Sequence, residues 1–504
     1  MSVNICVGVV THQEHGKLEI TNHTHATDQY GYYQVHRCVY VARNHRCFFA
    51  SSAASSIRST EQLWQHDFHL AQSQERALGG HMDVHASIDR IRKPPFPSIR
   101  KCQIRPNHNT SYLPLPSQNA TNLVFYNSTI RQTLRITLPA QQIRIRLTNA
   151  FGLNDLPITR VTVALPIAEA GQNLTGASAI NTTTIQTLTF SGNESIIIPD
   201  AALAVSDPIN FPLQAGQIIS ITMYLQYGQA SNYVTSHPGS RTQIWLSFGD
   251  YTSAQNMTDI STTSTFHWFF LSAVEAWTSP QKSAFVVVGD SITDGRASHN
   301  NANGRWTDLL FNRMQTYGPT NDIAVVNQAA GGNRILTDGN GPNALGRIDR
   351  DVLAQSGIKY AMIFEGVNDI GTADNTTANQ TETGDRMIQA YKQMITRVHT
   401  FGIPFFGSTI TPFGAPNDTI QTYSTPQRLA TRDRVNAWIR TSGAFDAVID
   451  FDAVVRDPTN PEQLNPIYNS GDYLHPNQLG YNVMARAFPL DIFEKYQDGV
   501  STFM

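Results

Sequence analysis

Charge is scarce in this chain. Asp, Glu, Lys and Arg make up only 15% of its 504 residues, against about 25% in an average globular protein, and the two signs nearly cancel to a net charge of −3. Such a surface has no basic stripe for a phosphodiester backbone or an anionic bilayer, so neither nucleic acid nor a membrane surface is expected as a partner. Long apolar runs are missing too. None approaches the ~20 residues needed to cross a bilayer, so no membrane span is expected. Cysteine is confined to Cys6, Cys38, Cys47 and Cys102. The later histidines, His237, His267, His299, His399 and His475, lack the paired spacing of zinc ligands. The glycine-rich stretches lack the lysine of a phosphate-cradling loop. Metal, nucleotide and other cofactors are therefore not expected.

Asn, Thr, Ser and Gln take the place of charge. Asn-x-Ser/Thr sequons recur at Asn109, Asn119, Asn127, Asn173, Asn181, Asn193, Asn256, Asn375, Asn379 and Asn417, a density that suits a secreted glycoprotein. Against that stands the beginning of the sequence. Its apolar stretch 5–10 is short, has no basic leader and runs into polar residues 11–14, so it makes no convincing signal peptide. Oligomeric state has no sequence signal.

A chain of this length exceeds one ordinary core, and two or three domains are expected. Residues 1–110 hold all the cysteines and most of the histidines, without strand alternation or long helical periodicity. His36 and Cys38 with His45 and Cys47 offer thiolate and imidazole donors of the kind zinc prefers. The plainer reading is a disordered segment, or a gene-model artefact displacing a true signal peptide. Residues 111–277 show short alternating runs, such as 142–148 and 218–225, separated by Gly, Pro and Asn turns, and are expected to form an all-β sandwich. A structural packing role and a carbohydrate-binding face are both open to it. From residue 278 to 504 apolar strands at 285–288, 323–326, 360–364, 403–406 and 447–449 alternate with helical stretches at 306–314, 345–354, 384–400 and 428–440. That alternation predicts a parallel sheet covered by helices. Ligands of such sheets sit beyond the carboxyl ends of the strands.

The loops there carry chemistry-bearing residues. The first strand runs into Gly289-Asp290-Ser291-Ile292-Thr293-Asp294-Gly295. A serine at a tight strand-to-helix turn presents its hydroxyl outward and its own N–H toward an incoming oxyanion. The same tripeptide also serves as an ordinary turn or helix cap. Asp290 and Asp294 are read as turn-stabilising acceptors rather than proton-transfer groups. The second strand ends in Asn327-Gln328-Ala329-Ala330-Gly331-Gly332-Asn333, where paired glycines permit close backbone approach. After the third comes Glu365-Gly366-Val367-Asn368-Asp369, which can aim the Asn368 amide at the same oxygen. Near the end, Asp472 stands three residues before His475 in Gly471-Asp472-Tyr473-Leu474-His475-Pro476-Asn477, ahead of a helix-like run at 480–488. That spacing lets the carboxylate accept the imidazole Nδ1 proton and leaves Nε2 to act as a base.

Taken together, these four segments resemble the GDSL or SGNH hydrolase family. Its block residues are matched in chain order by Ser291, Gly332, Asn368 and His475, over roughly residues 283–488. The runs Gly304-Arg305-Trp306-Thr307-Asp308-Leu309-Leu310, 409–413 and 445–452 look like the fungal extracellular branch. The segments 127–132 and 147–152 look like the β-sandwich module that precedes the hydrolase domain there. The resemblance implies a three-layer α/β/α SGNH-type domain after a β-sandwich, with Ser291 as nucleophile, His475 as general base and then acid, and Asp472 as the orienting carboxylate. It further implies an oxyanion hole built from the N–H groups of Ser291 and Gly332 and the amide of Asn368, and carboxylic-ester hydrolysis without a metal. The expected substrate is a small-molecule or polysaccharide ester, with a short acyl group on an extracellular carbohydrate as the leading form. The alternatives are a lipid ester hydrolase or acyltransferase, and a catalytically silent glycan-binding protein.

Overall fold

The computed structural model describes residues 123–502 apart from 169–172 and 232, together with the short strands Ala42–Arg43 and Arg46–Cys47. The expectations for residues 1–110 otherwise lie outside the described residues. So do the sequons at Asn109 and Asn119.

The first part of the described chain is antiparallel. Its main strands are β1 Ser128–Arg135, β2 Ala140–Thr148, β3 Arg160–Ala164, β4 Gln186–Thr187, β5 Leu203–Val205, β6 Ile209–Leu213 and β7 Ile218–Leu225. They continue with β8 Ser236–His237, β9 Ile244–Phe248, β10 Thr263–Thr265, β11 Trp268–Phe269 and β12 Leu271–Trp277. A six-stranded sheet has the order β10-β9-β1-β7-β3-β4. In a second sheet β12 lies along one edge of β2 while β5 and β6 share the other. Strand alternation decides what is buried. In β2 the side chains of Ile143, Ile145 and Leu147 turn inward to meet Ile130 of β1 and Ile221 and Met223 of β7 in one core. Two sheets closed face to face over a shared core make the expected sandwich.

From β13 Ser283–Gly289 onward the chain is of the other kind. Strands β13, β14 Ile323–Ala329, β15 Ile358–Phe364, β16 Phe405–Ser408 and β17 Ala447–Ile449 form a wholly parallel sheet in the order β14-β13-β15-β16-β17. Between and after them run α1 Trp306–Met314, α2 Ala344–Ile348, α3 Val367–Thr372, α4 Thr377–His399, α5 Pro426–Thr441, α6 Phe451–Val455 and α7 Gln478–Ala487. Alternate residues of β13 enter opposite layers. Val286 and Val288 join a core with α2, α4 and α5, whereas Phe285 and Val287 join one with α1 and α7. This is the α/β/α arrangement expected of residues 278–504.

Boundaries shift where local chemistry overrides the apolar pattern. Strand β16 starts at Phe405 rather than at 403, because Pro404 has no N–H to place in the ladder. Helix α4 starts at Thr377 rather than at 384: Thr376 caps it by accepting the Asn379 N–H, and its first two turns are mostly polar, with only Gln380 buried among them. The stretch expected as one helix at 345–354 is α2 followed by a π-helical turn, Asp349–Leu353.

The register of the parallel sheet fixes where its loops emerge. Gly289 pairs with Ala329 on one side and Phe364 on the other. Three strands therefore end at the same level, and the loops beginning at Asp290, Ala330 and Glu365 leave the sheet side by side. The sandwich packs close by. Leu138 packs on Ala284 and Ala324, the Arg135 guanidinium lies 4.8 Å over the Phe311 ring, and Arg146 donates to Gln355.

Candidate active site

The turn after β13 is shaped by the lack of a side chain at its start. A Cβ on Gly289 would lie 2.7 Å from the Thr293 side chain and 3.0 Å from the Phe364 carbonyl, so only glycine lets the turn fold back this tightly. Asp290 then accepts the Ile292 N–H through its side chain (2.9 Å) and the Asp294 N–H through its carbonyl (2.9 Å). The turn-stabilising role expected of Asp290 is what the geometry shows. Ser291 emerges from this turn 7% exposed, with its Oγ 2.7 Å from His475 Nε2.

His475 lies on the loop before α7. Its Nδ1 is 2.6 Å from Asp472 Oδ2, while Asp472 Oδ1 accepts the N–H groups of His475 (2.8 Å) and Leu474 (3.0 Å) and the Ser470 hydroxyl (3.1 Å). Burial works to raise the Asp472 carboxyl, but the hydrogen bond and charge of His475 and the two backbone donors outweigh it and hold the group well below the usual carboxylate range. An ionised Asp472 bonded to Nδ1–H leaves Nε2 as the acceptor facing the serine.

The loop after β14 comes against the serine from the other side: a Cβ on Gly331 would lie 3.9 Å from Ser291 Cβ. Gly332 has φ +75°, and a Cβ there would meet the Asn340 amide at 2.6 Å, two reasons for glycine at this position. Among the described residues, neither the Ser291 N–H nor the Gly332 N–H has an acceptor. Asn368, on α3 and 5% exposed, donates from Nδ2 to the Asn333 carbonyl (2.9 Å) and accepts the Tyr423 hydroxyl at Oδ1 (3.2 Å). With the amide so held, its second N–H remains unassigned. The structure thus gathers Ser291, His475 and Asp472 into one hydrogen-bonded chain and brings the Gly332 loop, itself bonded to Asn368, against it.

Beneath the serine lies a buried acidic cluster that the sequence did not reveal. Burial pushes the Asp290 carboxyl up to about 7, opposed by the Ile292 N–H and assisted by the nearby charges of Asp369 and Asp294. Asp369 is raised to about 6, again chiefly by burial, although it accepts the Ile335 and Leu336 N–H groups. Glu365, fully buried, is pushed well above the ordinary range. Arg347 is the cation within this cluster. It pairs with Asp351 (2.7 Å), approaches Glu365 (3.5 Å), and donates to Asn333 Oδ1 and to the Gly289 and Gln328 carbonyls, so one guanidinium braces the ends of two strands. Arg347 and Tyr423 carried no motif. Only a tertiary approach across the sheet makes them neighbours of the site. Among the described residues no group of three or more His, Cys, Asp or Glu is arranged to hold a metal ion.

The profile of the family described as GDSL-like Lipase/Acylhydrolase matches residues 285–488. Residues 285–488 belong to that family. The GDSL domain spans all five parallel strands and every residue of this site, and the chain is an ester-hydrolysing enzyme. It is similar to solved structures that include an acetyl xylan esterase from Geobacillus stearothermophilus (22% identity, 42% of this chain and 95% of that one, TM-score 0.32). Another is a GDSL-like lipase from Bacteroides thetaiotaomicron (18% identity, 42% and 89%, TM-score 0.30). No curated protein matches the sequence.

Proposed function

We propose that the GDSL domain cleaves carboxylic esters through Ser291, His475 and Asp472, with the N–H groups of Ser291 and Gly332 and the Asn368 amide stabilising the oxyanion. The observation that carries this reading is the continuous chain Ser291 Oγ, His475 Nε2, His475 Nδ1, Asp472 Oδ2, with links of 2.7 and 2.6 Å. Ser291 Oγ attacks the ester carbonyl and passes its proton to Nε2, and the electron pair of the C=O bond becomes the oxyanion. As the tetrahedral intermediate collapses, the C–O bond to the alcohol breaks and His475 returns the proton to the departing alkoxide. Water then attacks the acyl-enzyme by the same route in reverse, releasing the acid and restoring Ser291. Each step needs the oxyanion held, and backbone donors with no other acceptor are available for that without breaking an existing hydrogen bond.

For the substrate, a short acyl ester on an extracellular carbohydrate is the form we favour. Sequons at Asn173, Asn193, Asn256, Asn375 and Asn417 stand on exposed positions, as a secreted glycoprotein requires. Among the described residues no helix is long and apolar enough to cross a membrane. A series of p-nitrophenyl esters from acetate to palmitate tests the acyl group. The expected outcome is highest kcat/KM at two to four carbons, about the reach of a small pocket, with all turnover lost in Ser291→Ala. Preference for long chains would favour the lipid-ester reading instead.

A further inference from the structure

The β-sandwich reaches into the catalytic end of the GDSL domain at one point. Strand β8 ends at His237, held by its pairing with Trp268 of β11, and the imidazole Nε2 lies 2.7 Å from Asp294 Oδ1. Asp294 is buried, and its other oxygen accepts the Gly331 N–H at 3.1 Å. The fit between the two modules here is close. A Cβ on Gly239 would fall 1.7 Å from Asp294 Oδ2. The Arg305 guanidinium also bridges the modules: Nε donates to the Asp294 carbonyl (3.2 Å) and Nη2 to the Ser240 carbonyl.

We infer that His237 is a positioning residue for ester cleavage, supplied by the β-sandwich and acting through Asp294 on the oxyanion-stabilising loop. The inference rests on the reading of Gly332 as an oxyanion donor. Gly331 and Gly332 are adjacent and neither has a side chain to anchor it, so the peptide that presents the Gly332 N–H is fixed from outside. Asp294 holds the Gly331 N–H, and His237 Nε2–H fixes which way the Asp294 carboxyl faces. A carboxyl released from His237 is free to rotate about its χ2 and draw the loop with it. The oxyanion is then met by a misplaced donor, which lowers turnover while leaving ground-state binding of the ester nearly unchanged.

The test uses the full chain with p-nitrophenyl acetate and, as a tetrahedral mimic, phenylboronic acid. His237→Ala should lower kcat by about tenfold, with KM within about twofold, because a displacement well under 1 Å is at stake. Phenylboronic acid affinity should fall by the same factor as kcat. His237→Gln, whose amide nitrogen can donate to Asp294, should restore most of both, and His237→Leu, which keeps bulk but no donor, should behave like the alanine variant and replaces it if that variant does not fold. Wild-type kcat and boronate affinity in folded His237→Ala or His237→Leu would overturn the inference. So would a loss that His237→Gln does not relieve. Covalent labelling of wild type by a fluorophosphonate separates this result from a failure of the underlying reading. Label on Ser291 together with unimpaired His237 variants sinks only the positioning role, whereas label on another serine sinks the assignment of the site itself.

Discussion

At the scale of single residues, the site combines groups proposed to meet the substrate with groups buried against their chemical preference. Asn368 belongs to the first kind. Its amide is clamped by Tyr423 and the Asn333 carbonyl, so replacing it removes an oriented donor without moving the serine or histidine. Asn368→Ala should lower kcat by roughly a hundredfold, since one oxyanion donor is worth about 3 kcal/mol, and steady-state kinetics on a p-nitrophenyl ester would read it. Asp290 belongs to the second kind. Its folded-state pKa of about 7 lies above its unfolded value, so between about pH 4 and 7 the native state binds more protons than the unfolded state. By linkage, the contribution of Asp290 to stability falls as pH rises through that window and is lowest above it. Asp369, raised to about 6, acts in the same direction. Asp290→Asn keeps an acceptor for the Ile292 N–H but does not ionise, so the drop in melting temperature from pH 5 to pH 8 should be smaller in the variant than in wild type. An equal or steeper drop would mean that Asp290 is not held protonated by its burial.

At the scale of elements, the parallel strands and the turns that close them were legible because their signals are local. Strand β13 is an unbroken apolar run, and the turn after it needs a glycine at its first position. Asp472 and His475 share one loop, so three residues of spacing were enough to pair them. The short helix α3 shows how far such reasoning extends. Gly366 begins it at φ +131°, and a Cβ there would press on Met387 (2.6 Å), the Tyr391 hydroxyl (2.9 Å) and Ile410 (3.1 Å). The glycine was visible in the sequence, but those neighbours come from α4 and the loop after β16 and were not. Gly366→Ala should destabilise the protein by about 1–3 kcal/mol through backbone strain and lower kcat as well, because Asn368 lies two residues on. Denaturant unfolding alongside kinetics would check both. The residues that brace the site escaped detection for the same reason. Tyr423 meets Asn368 across 55 positions of chain and His237 meets Asp294 across 57, and no pattern of period 2 or 3.6 encodes contacts of that kind.

At the scale of the whole molecule, the question is why an enzyme domain with its own two-sided core is preceded by a sandwich packed so closely on it. The contacts run from the amino ends of β13 and β14, where Leu138 packs on Ala284 and Ala324, to the loops at the other end of the sheet. Arg135 covers Phe311 and donates to Asn312, Arg305 donates back to Ser240, and His237 meets Asp294. A tether serving only to bind a distant polymer would not need to approach the turn that carries Ser291. On the positioning role proposed above, the sandwich is part of the scaffold that sets the active-site loops. Its sequence announced strands and turns but not this docking, because side chains that meet a second module look the same, residue by residue, as those that meet water.

The central claim is that one serine, at the turn after the first parallel strand, is activated by the histidine before the last long helix. Fluorophosphonate labelling followed by peptide mapping addresses it most directly. The peptide containing Ser291 should be modified in wild type, unmodified in Ser291→Ala, and modified far more slowly in His475→Ala. Stoichiometric label on a different serine, or undiminished labelling of Ser291→Ala, would contradict it.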